Sequence, residues 1–248
     1  MDKKIIVYTA IFGKYSGLIK QPKYKNVEYI CYTDQNLKSN IWKIIKVKPP
    51  VKNDATRSNR FYKLLPHRHL SNYDISVYID GNILITKDIT NLVFDILKNN
   101  SFGCFDHNQN AADPRNCIYK EYEAILELGK VKKFYKDNPE VMRKQIERFR
   151  KEGYPENNGL ITAPILIRKH NNKKLIEVME AWWKIVKNES KRDQLSFNYV
   201  AWKLNFTDFK LIDGDVRHGN PWFYTISHRK NYSFKIFKLK FKKFFKKN

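Results

Sequence analysis

Residues 5–12 form a short run of apolar and β-branched residues, broken by Thr9, that reads as a first core strand. Similar runs lie at 27–32, closing in Thr33-Asp34, and at 41–47, where Pro49-Pro50 ends the element. Asp54 is placed to cap a helix over 55–65 that Pro66 stops. A strand over 75–80, a helix over 91–98 and a strand over 101–105 follow, the last running into Asp106-His107. The charged stretch 118–152 reads as two amphipathic helices, with Pro139 in the first turn of the second. A strand at 160–167 precedes helices at 172–188 and 193–204, and 213–222 reads as a polar loop. Strands alternating with helices predict an α/β fold, a mostly parallel sheet flanked by helices. Ligands of such sheets sit beyond the C-terminal strand ends. The 9–15 segment, Thr33-Asp34, Asp80-Gly81-Asn82 and Asp106-His107 all fall at predicted ends of that kind, so they are candidates for one site.

Within that set Asp80-Gly81-Asn82 is out of place as ordinary sheet, because Asp and Asn are depleted in strands and Gly weakens them. A carboxylate and an amide oxygen two residues apart at a strand end suit a hard cation that carries phosphates. The competing reading is a β-turn between two hairpin strands. Asp-Gly is a strong hairpin signal, and a second apolar run starts at Ile83.

Three other clusters carry chemistry. Arg57, Arg60 and Lys63 are spaced to lie near one face of the predicted helix, where three cations clamp a diphosphate or simply meet solvent. Asp193-Gln194 follows Lys191-Arg192; Asp193 is either a helix cap or a residue aimed at a reacting sugar. His218 sits in the polar loop beside Gly219 and Pro221-Trp222, as a metal ligand or a surface residue. No P-loop, no Gly-x-Gly-x-x-Gly and no Gly-x-Ser-x-Gly is present, so ATP, hydride and serine-hydrolase chemistry have no motif to rest on.

Length and charge sharpen this picture. A chain of 248 residues, 42% hydrophobic, can bury a full-sized core. Its three cysteines, Cys31, Cys104 and Cys117, are odd in number and widely spaced, which predicts neither a disulfide framework nor a thiolate metal site. The first apolar run is short and lacks a small-residue cleavage site, so it reads as a core strand rather than a signal peptide. No run is long enough to span a membrane. The net charge is +23, and nine of the basic residues fall between Arg229 and Asn248, a stretch with no acid. Wound as a helix, that tail sets Phe234, Phe237, Phe241, Phe244 and Phe245 on one face with lysines around the rest, the pattern of a helix lying on an anionic membrane. Two domains result, a globular one over 1–228 and a basic aromatic tail over 229–248.

With these residues in view, the chain resembles a GT-A-type glycosyltransferase. More narrowly, it is similar to the former domain-of-unknown-function family that includes plant mucilage-related glycosyltransferases. The resemblance rests on the ordered set of 8–15 (YTAIFGKY), 31–34 (CYTD), Arg57 to Lys63, 78–82 (YIDGN) and 192–194 (RDQ). It implies a nucleotide-sugar donor, most simply a UDP-sugar. Thr9, Ala10, Phe12, Gly13, Tyr15 and Asp34 would lie around base and ribose, and Arg57, Arg60, Lys63, Asp80, Gly81, Asp106 and His107 around the rest of the donor. Asp80 and Asn82 would stand at the Asp-x-Asp metal motif, with His218 similar to the late histidine of family 8 glycosyltransferases, so Mn²⁺ or Mg²⁺ is the implied cofactor. Asn82 departs from the second acid of that motif and makes the metal site one ligand poorer in charge. Asp193 and Gln194 resemble the pair near the donor sugar and are the candidate catalytic residues.

The expectation is therefore a cytoplasmic transferase, peripheral at the inner face of the membrane, that moves a sugar to a glycan or lipid-linked acceptor in surface polysaccharide synthesis. Two alternatives follow from the same residues. One is a basic nucleic-acid-binding protein, disfavoured because aromatics interleaved with lysine are confined to the tail. The other is an inactive GT-A binding module, kept open by Asn82.

Overall fold

The structure is a computed structural model that describes residues 4–14, 16–217 and 219–227. Nine strands and six helices are described: β1 (Ile5–Ile11), β2 (Val27–Thr33), β3 (Lys43–Lys46), α1 (Ala55–Leu64), β4 (Ile75–Ile79), β5 (Ile83–Ile85), α2 (Thr90–Asn99), β6 (Phe102–Asp106), α3 (Ile118–Lys132), α4 (Pro139–Lys151), β7 (Ile161–Arg168), α5 (Lys173–Asn188), α6 (Phe197–Lys203), β8 (Phe209–Ile212) and β9 (Phe223–Thr225). Seven strands make one sheet in the order β3-β2-β1-β4-β7-β6-β8. All run in one direction except β7, which is antiparallel to both β4 and β6. The mostly parallel α/β sheet is thus as the alternation of elements predicts.

Both faces are covered, which is why the strands are apolar throughout rather than alternating. On one face Ile6, Tyr8, Ala10 and Tyr78 join α1, α4, α5 and α6 in a core centred on Trp182, Phe149 and Phe197. On the other, Ile5, Val7, Val77 and Ile79 pack against Val93, Ile96 and Leu97 of α2. Strand periodicity sorts neighbours between these two cores, and each core burying only one parity of side chain fixes the register.

Helix α1 begins as Asp54 dictates: its Oδ1 accepts from the Arg57 N–H at 2.8 Å. Its last turn ends before Pro66, which opens a short 3-10 turn over 66–68. The predicted helix over 193–204 is broken into a 3-10 turn over 193–195 and α6. The Asp193 side chain does not cap it, because that carboxylate is committed elsewhere. Two strands, β8 and β9, are too short and polar to emerge from the sequence pattern, and they bracket the predicted loop.

The hairpin reading of Asp80-Gly81-Asn82 is overturned. A tight turn is present, with the Ile83 N–H donating to the Asp80 carbonyl at 2.9 Å. The strands on either side of it do not pair with each other. β4 lies between β1 and β7, whereas β5 leaves to pair with β9 in a separate two-stranded sheet. The turn ejects the chain from the main sheet, so a polar triplet is left at its edge beside a cleft.

Candidate active site

From β1 the chain moves outward through β2 to β3, then returns to place β4 on the other side of β1. The point of reversal is where open α/β sheets form their ligand crevice. A cleft of roughly 510 Å³ lies there. Ala10, Phe12 and Gly13 line it from the end of β1, Asp80 and Gly81 from the end of β4, and Asn59, Arg60 and Lys63 from α1. Because β7 runs the other way, its beginning reaches the same place and contributes Ala163 and Pro164. The opposite wall is Lys191, Arg192, Asp193 and Gln194.

Only glycine fits at position 13. Its φ is +69°, and a Cβ there would stand 2.7 Å from that of Ala55. The turn aims the Gly13 N–H at Asp34, whose two carboxylate oxygens each lie 3.2 Å away. Asp34 thereby fixes the loop after β1 from behind and does not itself line the cleft.

Asp80 is held by a relay. The Asn59 amide Nδ2 donates to the Ala10 carbonyl at 2.5 Å and to the Tyr78 hydroxyl at 3.1 Å. The Tyr78 hydroxyl donates to Asp80 Oδ1 at 2.9 Å. Burial first, then the Asp80 charge, raises the Tyr78 phenol well above its ordinary value, so it stays a donor. The Asp80 N–H is bound to the Pro164 carbonyl at 2.8 Å.

Asp193 is the second carboxylate and is almost wholly buried. Lys63 Nζ lies 2.5 Å and Arg60 Nε 3.1 Å from its Oδ2. Burial alone would raise its pKa, but Arg60 and Lys63, with Arg192 behind them, hold it down to about 2. The backbone is tied as well: the Asp193 carbonyl accepts from Trp182 Nε1 at 2.9 Å. Gln194 donates from Nε2 to the Ile161 carbonyl at 3.2 Å, which sets its amide on the cleft wall.

Several predicted residues are placed elsewhere. Arg57 turns from the cleft, donating to the Val186 and Glu189 carbonyls at 2.9 and 2.5 Å and pairing with Asp54 at 2.6 Å. It therefore clamps α1 to the end of α5. Thr9 points into the core on the α2 side of the sheet. Asp106 caps the turn that follows it through the Asn108 N–H at 2.9 Å. His107 is buried beside Arg115 and 3.8 Å from Glu121; burial chiefly lowers its pKa. Strand β7 stands between β4 and that pair, which neither periodicity nor spacing could reveal. Tyr15 and His218 lie outside the described residues.

Asn82 is not in the cleft either. It is buried, and its Nδ2 donates to the Ile226 carbonyl at 2.7 Å while its own carbonyl accepts the Ile226 N–H at 2.9 Å. The amide is a clip between the triplet and the strand β9. Among the described residues no three His, Cys, Asp or Glu side chains gather as a metal-holding group. Asp80 alone offers a carboxylate at the triplet, so the described residues do not by themselves fit a resident Mn²⁺ or Mg²⁺.

The cleft contains residues that the sequence does not single out. Phe134 and Lys136 reach it from the segment between α3 and α4, and Ser16, Asn59 and Pro164 complete it. With Arg60, Lys63, Lys191 and Arg192, Lys136 makes five cations against two carboxylates. Lys191-Arg192 was visible beside Asp193-Gln194; Phe134 and Lys136 gave no local signal, since they follow an amphipathic helix that predicts only a turn.

Residues 23–216 match the model of the TOD1/MUCI70 glycosyltransferase-like domain, well over half of the chain. The chain belongs to the TOD1/MUCI70 glycosyltransferase-like family. Over 200 residues it is 25% identical to the protein named probable hexosyltransferase MUCI70 of Arabidopsis thaliana, covering 75% of this chain. The chain spans 32% of that relative's length. Among solved structures it is similar to mouse xyloside xylosyltransferase 1, at 10% identity and a TM-score of 0.46 over 86% of each chain. It is also similar to the galactosyltransferase LgtC solved with donor and acceptor sugar analogues, at 12% identity and a TM-score of 0.44 over 79% of this chain and 70% of that one. Both scores lie below 0.5, too low to carry an inference. Family membership therefore rests on the domain match, and the segments 31–34, 57–63, 78–82 and 192–194 all fall inside it.

Proposed function

We propose that this TOD1/MUCI70-type domain transfers a sugar from a nucleotide-diphosphate donor, a UDP-sugar, to a glycan or lipid-linked acceptor in surface polysaccharide synthesis. The observation that carries the reading is a cleft at the sheet's point of reversal in which cations outnumber carboxylates five to two. A departing nucleotide diphosphate gathers negative charge, and fixed cations in a partly desolvated cleft stabilise it without reorganising. Arg60, Lys191 and Arg192 are the cations that face that charge in this reading.

Asp193 is the charge that arranges them. A carboxyl held to about 2 is a feeble general base at neutral pH, where proton transfer favours a group that titrates near the working pH. Its role is to fix Arg60 and Lys63 in place, with Gln194 beside it as the polar contact for the donor sugar. Asp80, oriented by Tyr78, is the carboxylate closest to the predicted metal corner.

Isothermal titration of the full chain with UDP tests the reading, run with and without Mn²⁺. Binding that weakens on charge reversal of Lys191 and Arg192 is the expected result. Absence of binding by any nucleoside diphosphate at millimolar concentration overturns it. Gain of affinity with Mn²⁺ would show that a cation joins the donor phosphates beside Asp80.

The basic phenylalanine-striped stretch 229–248 lies outside the described residues, and its sequence supports a peripheral position on an anionic, cytoplasmic membrane face. Flotation with phosphatidylglycerol vesicles, with and without residues 229–248, tests this. Retained flotation after the deletion removes the tail from that role.

A further inference from the structure

Exposed apolar side chains are concentrated at one place on this protein. Six large ones are exposed among the described residues, and four of these, Leu128, Val131, Phe134 and Tyr135, lie together at the end of α3. Val131 is 78% and Phe134 67% exposed. A single such residue needs no explanation, whereas a contiguous group marks a contact surface. Leu128 and Val131 are three residues apart and share a flank of α3. Lys133 is left-handed with φ 50°, its N–H donates to the Lys130 carbonyl at 3.2 Å, and the Phe134 N–H donates to the Gly129 carbonyl at 3.1 Å. That pair of bonds is a Schellman closure, which folds the chain back on the helix it ends. The Tyr135 ring lies over Gly129, where a Cβ would collide with it. At the far end Asp137 is buried and accepts from Ser190 Oγ at 2.7 Å and from the Lys191 N–H at 2.9 Å. The apolar group is thus carried on a pinned helix end.

The charges in the same stretch have one sign. Residues 130–136 contain four lysines and no acid. Lys130 pairs with Glu127 at 2.7 Å, while Lys132, Lys133 and Lys136 are exposed and pair with no acid among the described residues. Glycine is the usual residue at the left-handed position of such a closure, and here a lysine takes it and adds a charge. Apolar side chains at a helix tip, ringed by unpaired lysines, match the headgroup layer of an anionic bilayer: the side chains enter the acyl boundary and the ammonium groups meet lipid phosphates. Charge opposes the other occupants. The stretch 229–248 has nine basic residues and no acid, and a second copy of a chain with net charge +23 would set lysines against lysines.

We propose that the end of α3 is a docking surface for an anionic lipid bilayer, with Leu128, Val131 and Phe134 inserted and Lys132 and Lys133 among the headgroups. The contact belongs to the globular domain and is separate from the tail over 229–248. It fixes which side of the domain faces the lipid, whereas a tail alone would tether the domain without orienting it. It does not depend on what the cleft binds. Phe134 and Lys136 also stand at the cleft, so docking brings the cleft mouth to the level of the headgroups.

The test uses the full chain and one surface label. Cys31, Cys104 and Cys117 are all buried, so a cysteine introduced at an exposed position can be labelled by itself. Val131→Cys carries a nitrobenzoxadiazole label at the proposed contact. Asp95→Cys carries it on the exposed side of α2, the helix that packs on the opposite face of the sheet. Phosphatidylglycerol vesicles should raise and blue-shift the Val131→Cys emission, and brominated acyl chains should quench it. Phosphatidylcholine vesicles should do neither, and the Asp95→Cys label should stay in water throughout. Adding Leu128→Gln, Lys132→Gln and Lys133→Gln to Val131→Cys should cut the response by about tenfold, since each lysine near an anionic surface contributes substantially to binding. A Val131→Cys label that stays in water while the protein sediments with the vesicles would assign attachment to the tail and overturn the proposal. So would an equal response at Asp95→Cys, an equal response to phosphatidylcholine, or no sedimentation with phosphatidylglycerol vesicles. Emission that rises with protein concentration in the absence of vesicles would assign the surface to a second copy and overturn it as well.

Discussion

Lys63 Nζ and Asp193 Oδ2 lie 2.5 Å apart although their residues are 130 positions apart in the chain, and both side chains are almost wholly buried. The pair joins the last turns of α1 to the wall that follows α5, and Arg60 completes it at 3.1 Å. A buried ion pair is costly to form and more costly to break, since removing one partner leaves the other charge uncompensated.

Removal of the shared carboxylate should therefore be worse than removal of either cation. Asp193→Ala is expected to destabilise the protein by about 3–5 kcal/mol, and Lys63→Met by less, because Arg60 still pairs with Asp193. Denaturant midpoints of the two single variants and of Lys63→Met/Asp193→Leu test this. A double variant no more stable than Asp193→Ala would contradict it.

The same pair sets an acid limit. The Asp193 pKa in the folded protein, about 2, lies below the ordinary aspartate value of 3.8. A depressed carboxyl contributes stability that is present above its unfolded pKa and lost as pH falls through the folded one. The stability it adds should therefore disappear between about pH 4 and about pH 2. Comparing melting temperatures of wild type and Asp193→Asn down that range checks the sign: the two curves should converge in acid.

Tyr78 offers a way to disturb the cleft without disturbing the core. Tyr78→Phe keeps the ring packed and frees Asp80 Oδ1, so stability should change by only about 1 kcal/mol. Sugar transfer should fall by on the order of tenfold or more, because a small misplacement of a positioned group is costly. Equal losses of stability and of turnover would mean that the hydroxyl serves the fold and not the site.

Restoring the acid of the Asp-x-Asp motif should harm this protein. Asn82→Asp sets a carboxylate oxygen where Nδ2 now donates to the Ile226 carbonyl, so two acceptors face each other in a buried position. Loss of about 1–3 kcal/mol is expected, measured by thermal melting. A variant as stable as wild type that also gained Mn²⁺ affinity would show that the side chain can turn to the cleft.

Much of the fold is written locally. The strand cores, the Asp54 cap, the Pro139 start of α4 and the helix over 172–188 are short-range patterns, and hydrophobic periodicity with caps and prolines reports such patterns directly. Asp80, Gly81, Gly13, Arg60, Lys63, Asp193 and Gln194 could also be picked out, since polar residues at strand ends and paired charges are visible in one dimension. Their family resemblance is likewise a property of the ordered string.

What the chain alone leaves open is which of several chemically equal residues meet. Arg57 and Lys63 have the same charge and share a helix. Only the packing of α1 against α5 sends one guanidinium to the Val186 and Glu189 carbonyls and the Lys63 ammonium to Asp193. Asp106-His107 ends a strand as Asp80 does, yet insertion of the antiparallel β7 removes it from the cleft. Asn82 looks like a ligand by spacing, and the departure of β5 to β9 makes it a clip. Phe134 and Lys136 enter the site only because Gly129 and Asp137 fold their segment back on it. Sequence determined the elements and the chemical types, because those depend on neighbours in the chain. Tertiary structure decided the partners, because pairing depends on strand order and on which face of each helix is buried.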